Sequence, residues 1–206
     1  MTKVLHEIPY FSQWETKELA NDFLNRKITA KDDPKWMDSG ADSPEEYEDW
    51  SWNICGMACL KMILVKKFGG NYRTVELAKK CESYGGYRQY ENKIDGLFYH
   101  PFCRFLSSEF KIKTKVYRFF LTLEGIKREV KKERHFIVSV NPAIKCAKNT
   151  PKYKGGHLVL ITGFDEEKRT LILHNPSGLY GESQENYEIS EKDFKKFFAG
   201  RGILVY

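Results

Sequence analysis

The chain has 206 residues and a mass of 24.2 kDa, with 41% apolar and 15% aromatic residues. That is enough for one well-buried core, and it excludes the aromatic-poor composition of disordered chains despite a mean hydropathy of -0.56. The formal charge of +6 is unevenly placed, with -6 between residues 31 and 50 and +12 over the rest. A basic balance permits contact with nucleic acid, but a solvated, Lys-rich surface accounts for it, and nucleic acid is not expected as a partner. No run approaches the roughly 18 apolar residues of a membrane span, and Met1–Tyr10 lacks the apolar stretch of a secretory leader. A cytoplasmic placement is the expectation.

In chain order, Ile8-Pro9-Tyr10-Phe11 reads as an apolar, strand-like run, with Pro9 pointing to a sheet edge. Residues 17–26 have helical periodicity through Leu19, Phe23 and Leu24. The acidic stretch that follows contains Pro34, Gly40 and Pro44, so it predicts a loop with a short helix after Ser43-Pro44. Together, residues of about 16–51 read as an insert.

Residues 55–68 predict a helix that is apolar on nearly every face, closed by Lys66-Lys67 and stopped by Gly69-Gly70. A helix of that kind belongs in the middle of a domain. Further helices are expected at 74–83, with Thr74 as cap, at 97–109, at 122–132 and after Ser190, where Asp193 completes a capping pattern. Strands are expected at 112–120, 135–140, 157–164, 170–174 and 203–206. Helices first and mainly antiparallel strands later predict an α+β fold, read as one domain over 1–206.

The cysteines Cys55, Cys59, Cys81, Cys103 and Cys146 are odd in number and form no Cys-x-x-Cys pair, which argues against a disulfide framework and a structural zinc site. No cofactor or metal is expected. Cys55 opens the buried helix, where unpaired N–H groups and the helix dipole favour negative charge, so its thiol is expected to ionise readily. Cys59, a turn further on, reads as core.

A nucleophilic cysteine needs a base, and histidine changes charge near neutral pH. His6, His100 and His135 sit in sequence settings that suit a solvated or core role. His157 follows Gly155-Gly156, where absent side chains let a substrate backbone come close. The strands beginning at His157 and ending at His174 are joined by the polar turn Asp165–Arg169 and should pair as a hairpin. Its open end then brings His157 beside Asn175, whose carboxamide could orient the ring. A slip of one residue would present His174 instead.

The string Cys55-Gly56-Met57-Ala58-Cys59-Leu60-Lys61-Met62-Ile63-Leu64 resembles the nucleophile helix of papain-like cysteine peptidases related to the bacteriocin-leader-processing domains of peptide exporters. Gly156–Asp165 is similar to their histidine strand, and His174-Asn175-Pro176-Ser177-Gly178 to their Asp/Asn-Pro turn. Ile8–Gln13 resembles the segment that carries the oxyanion-hole glutamine. The resemblance implies a papain-like α+β fold, with a buried nucleophile helix packed on a mainly antiparallel sheet. It implies Cys55 as nucleophile, His157 as base, Asn175 as orienter and Gln13 as oxyanion donor, acting on a peptide or protein substrate. On the same site an acyltransferase or peptide ligase is the alternative, as is an inactive binding module.

Two features depart from the family pattern. Asn175 stands where many relatives have Asp, although Cys-His-Asn is itself a papain arrangement. The insert separates Gln13 from Cys55, and a solvated loop is its expected role ahead of a lid, a selector of basic substrates or a cation site.

Overall fold

A computed structural model describes residues 2–91 and 93–206 of the chain. In order, the elements are β1 (Lys3–Leu5), α1 (Ala20–Leu24), α2 (Pro44–Ser51), α3 (Cys55–Phe68), α4 (Thr74–Ser83), β2 (Tyr87–Tyr90) and β3 (Lys93–Gly96). There follow α5 (Tyr99–Phe110), β4 (Thr114–Tyr117), α6 (Leu123–Val130), β5 (His135–Val140), β6 (His157–Asp165), β7 (Thr170–His174), β8 (Tyr187–Ser190), α7 (Glu191–Phe197) and β9 (Phe198–Val205). The main sheet is antiparallel throughout, in the order β4-β9-β5-β6-β7-β8, and β1 pairs with β6. β2 and β3 form a separate hairpin.

The sheet separates two cores because both faces of its central strands are apolar. Ile137, Leu158 and Leu160 pack with the Met57–Leu64 stretch of α3, whereas Phe136, Val138, Val159 and Ile161 pack with Ile126 of α6 and Phe194 of α7. The largely apolar run of α3 is explained by this position, since Gly56 to Leu64 are all buried. Each fully buried Leu, Ile or Met contributes about 1.5–3 kcal/mol, so packing rather than intrinsic propensity holds the helix. Lys61 is the exception on this face. It is buried, pairs with Glu15 at 3.3 Å, and lies over the Phe11 ring, while Thr74 also donates to Glu15 at 2.5 Å.

The helices expected at 55–68 and 74–83 and the strands at 135–140 and 170–174 have the bounds read from the sequence. Arg73, not Thr74, is the N-cap of α4. The strand-like run at Ile8–Phe11 is not a strand: regular pairing ends at Leu5, and the chain then crosses the end of β7. There the Ile8 carbonyl accepts from His174 at 2.9 Å, Tyr10 donates to the Asn175 carbonyl at 2.9 Å, and Ser12 donates to the Pro176 carbonyl at 2.9 Å. Those bonds replace a strand ladder.

The acidic insert is packed rather than loose. Phe23, Ala30, Tyr47 and Trp50 are fully or almost fully buried in the core beside α3. Asp33, 1% exposed, accepts from the Thr16 N–H and from the Tyr47 hydroxyl at 2.8 Å. Asp42 and Glu46 hold Lys79 of α4 at 2.7 and 2.8 Å.

β1 continues the edge of β6 that β5 leaves free, with Leu5 opposite Gly163. A Cβ at Gly163 would overlap the Val4 carbonyl oxygen and lie 3.0 Å from the Leu5 Cα. Gly163→Ala is therefore expected to push β1 off the sheet and lower the unfolding free energy by about 1–3 kcal/mol, read as a lower urea midpoint. An unchanged midpoint would show that this close approach is dispensable.

Candidate active site

The N-terminus of α3 abuts the first residues of β6, and a cavity of about 670 Å³ opens there, lined by both Cys55 and His157. Ile54, the N-cap of α3, supplies no side-chain acceptor, so the N–H groups of the first turn stay available. The backbone N–H groups of Leu158, Gly56 and Cys55 favour the Cys55 thiolate, but burial outweighs them and pushes the thiol up to about 11. The expectation of a readily ionised thiol is thus overturned: desolvation exceeds what the helix N-terminus supplies.

His157 opens β6 opposite Val140. Its Nε2 lies 2.8 Å from Asn175 Oδ1 and 3.1 Å from Ser177 Oγ. A carboxamide oxygen only accepts, so in the neutral ring Nε2 carries the hydrogen and Nδ1 the lone pair. The Ser177 N–H donates to the same Oδ1 at 3.2 Å and sets which way the amide faces. Burial lowers His157 to about 4, against the opposing effect of the Asn175 hydrogen bond. Both groups of the pair are therefore neutral at pH 7.

A β-bulge determines that Asn175 rather than His174 reaches this ring. Pairing of β6 with β7 runs Asp165↔Thr170 and Gly163↔Ile172, then shifts at Thr162 to Ile161↔Leu173 and Leu160↔His174. Continued toward the open end, that register sets residue 177 opposite 157 and residue 175 on the diagonal of the same face. Without the extra residue, 174 and 176 would share the face of His157. His174 instead points to the other side, donating through Nε2 to the Ile8 carbonyl and accepting at Nδ1 from the Asn186 N–H at 3.0 Å.

Gln13 is buried, and its N–H donates to the Pro176 carbonyl at 3.0 Å, next to Asn175 in the chain. It is adjacent to the turn that holds His157 but does not line the cavity. Gly155 and Gly156 have φ of +92° and +94°, conformations that side-chain-bearing residues rarely adopt, so these glycines shape the approach to His157 through the backbone.

Cys59 is core, with its thiol 3.7 Å from the Leu158 carbonyl. His135 is buried and His6 half-buried, and the two pack edge to face at 5.7 Å. His100, read from the sequence as unremarkable, lines the cavity, as do Arg88, Arg118 and Arg201. None of the insert's carboxylates does. Among the described residues there is no group of three or more His, Cys, Asp or Glu side chains placed to hold a metal ion. Also among them, no helix is long and apolar enough to cross a membrane. Ser177 went unread in the sequence, although it stands two positions beyond Asn175 and two-residue spacing puts both on one face.

Residues 6–202 match the family model described as the Peptidase_C39 like family. The structure is similar to that of a candidate C39-like peptidase from Bacillus anthracis, with a TM-score of 0.59 at 11% identity, over 100% of this chain and 98% of the other. It also resembles the peptidase domain of Streptococcus ComA, a bi-functional ABC transporter involved in quorum sensing. There the TM-score is 0.48 at 16% identity, over 74% of this chain and 90% of that one. No curated protein matches the chain.

Proposed function

Because the chain belongs to the Peptidase_C39 like family, we propose that it is a cysteine peptidase in which Cys55 attacks the scissile carbonyl and His157 moves the proton. The observation that supports this most is that Cys55 and His157 open into one cavity while Asn175 ties down the far nitrogen of the ring. With both groups neutral at rest, the Cys55 proton passes to His157 Nδ1 as the sulfur–carbon bond forms. The imidazolium is steadied by Asn175 Oδ1 through Nε2–H.

The tetrahedral oxyanion accepts from the Cys55 N–H, and the second donor proposed is the carboxamide of Gln13, a residue held beside the Asn175-Pro176 turn rather than in the cavity lining. As it collapses the carbon–nitrogen bond breaks, and Nδ1–H protonates the leaving amine. Water then adds to the thioester with His157 again taking its proton, and the acid product and the thiol are released.

A digest of a mixed peptide library with the wild type and with Cys55→Ala, followed by mass spectrometry, tests the reading. Products with the mass of water addition are expected from the wild type alone. Identical digests from both proteins would end the proposal. Gln13→Ala is expected to retain a slow reaction, lowered on the order of 100- to 1000-fold in kcat, as for the loss of one oxyanion donor. A kcat within twofold of wild type would remove Gln13 from the mechanism.

A further inference from the structure

We infer that the cavity beside Cys55 receives an acidic side chain of the substrate, next to the bond that is cut. The inference rests on the peptidase reading above and names the substrate class for that site.

Three guanidinium groups, those of Arg88, Arg118 and Arg201, line the cavity, and no Asp or Glu does. Three arginines meet carboxylates within 4.0 Å, Arg128 and Arg134 on Glu129 and Arg169 on Glu191, while Arg73 and Arg104 donate to the carbonyls of Met37 and Tyr84 outside the cavity. Among the described residues the three cavity arginines have no such partner. Arg118 donates from Nε to His100 Nε2 at 3.2 Å, and Arg201 from Nε to Ser139 Oγ at 3.4 Å, neither acceptor a carboxylate. Arg88 stacks on Phe98 at 5.1 Å. Its cross-strand neighbour Asp95 is held by Lys93 at 2.6 Å.

Strand register brings two of these charges together. Tyr117 lies opposite Gly202, so the next positions along β4 and β9 are Arg118 and Arg201. Like charges opposite one another on a sheet are destabilising unless an anion comes between them. Ser139, which anchors Arg201, is opposite Leu158, whose N–H faces the Cys55 sulfur. One strand, β5, thus lies between Arg201 on β9 and His157 on β6.

A guanidinium fork matches a carboxylate in shape and charge. Leu97, Phe98 and Phe119, which also line the cavity, suit the methylene groups that carry a carboxylate in Asp or Glu. A basic substrate residue would meet uncompensated repulsion here, and the acidic insert, whose carboxylates are outside the cavity, does not offset it.

The test compares two alkylating agents that differ in charge, iodoacetate and iodoacetamide, on the whole protein at about pH 8, with Cys55 read by peptide mapping. The ratio of the two rates cancels the thiolate fraction and needs no turnover. Three unit charges at about 10 Å in a water-like medium predict a ratio roughly tenfold above that of free cysteine. That gain should vanish in about 1 M salt and fall to roughly twofold in Arg118→Gln/Arg201→Gln, which keeps one of the three charges.

A ratio no higher than that of free cysteine, or one unmoved by both salt and the double substitution, overturns the inference. In the peptide library, cuts by the wild type should be enriched in Asp or Glu beside the cleaved bond, and the double variant should lose that enrichment. Cleavage with no acidic preference overturns the inference while the peptidase reading stands. An uncut library overturns that reading and leaves the alkylation ratio to decide this one.

Discussion

In His157→Ala, peptide hydrolysis is expected to fall by roughly 10,000-fold, since general-base assistance alone is worth about 100- to 10,000-fold and the orienting hydrogen bond is lost with it. The wild-type pH profile carries a sharper expectation. Burial lowers His157 to about 4, so the imidazole is still a base at pH 5, where an exposed histidine would be mostly protonated. Protonation below about 4 removes the acceptor for the Cys55 proton, and the acid limb of kcat/KM should have its midpoint near there. Burial holds the Cys55 thiol up to about 11, so the alkaline limb should lie far above neutrality, leaving a broad plateau. An acid limb at about 6.5, or a His157→Ala variant within tenfold of wild type, would contradict the neutral, buried pair.

The second large effect is on stability. His157 and His135 are both lowered to about 4 by burial, and burial lowers His174 and His6 as well. The unfolded chain takes up these protons near 6.5, and the folded chain only near 4 or wherever the lowered value falls. Between those limits the unfolded state binds more protons, so stability is complete above about 6.5 and is lost as pH falls.

For His157 and His135, a separation of about 2.5 units corresponds to about 3 kcal/mol each. The two together are comparable with the whole stability of a domain, roughly 5–15 kcal/mol. The structure shows why charging is opposed. His135 Nδ1 is buried without a hydrogen-bond partner. A proton on His174 Nδ1 would face the Asn186 N–H that already donates there. Urea midpoints are expected to drop steeply between pH 7 and pH 4.5, and a flat profile would show that these rings are hydrated in solution.

The sequence alone determined the parts whose physics is local. A 14-residue stretch apolar on nearly every face, interrupted only at Lys61 and ended by Lys66-Lys67 and Gly69-Gly70, reads as a buried helix, and the boundaries of α3 followed from it. Apolar runs placed β5 and β7, and a Ser190 cap placed α7. β1, β2 and β3 escaped notice because they have three or four residues and polar neighbours, with too little periodicity to read. Packing of the insert was equally hidden, since Tyr47 and Trp50 signal a core only when α3 is there to receive them.

The tertiary structure decided which chemistry faces which. One extra residue at Thr162 turns Asn175 toward His157 and His174 away from it, and a bulge leaves no trace in composition. The Cys55 thiol shows the same limit. Its helix position favours ionisation, yet burial beneath neighbours far along the chain pushes it the other way. Arg118 and Arg201 lie more than 80 residues apart and meet only because β4 pairs with β9. Propensity is a property of neighbours in sequence, whereas facing, desolvation and charge clustering belong to neighbours in space.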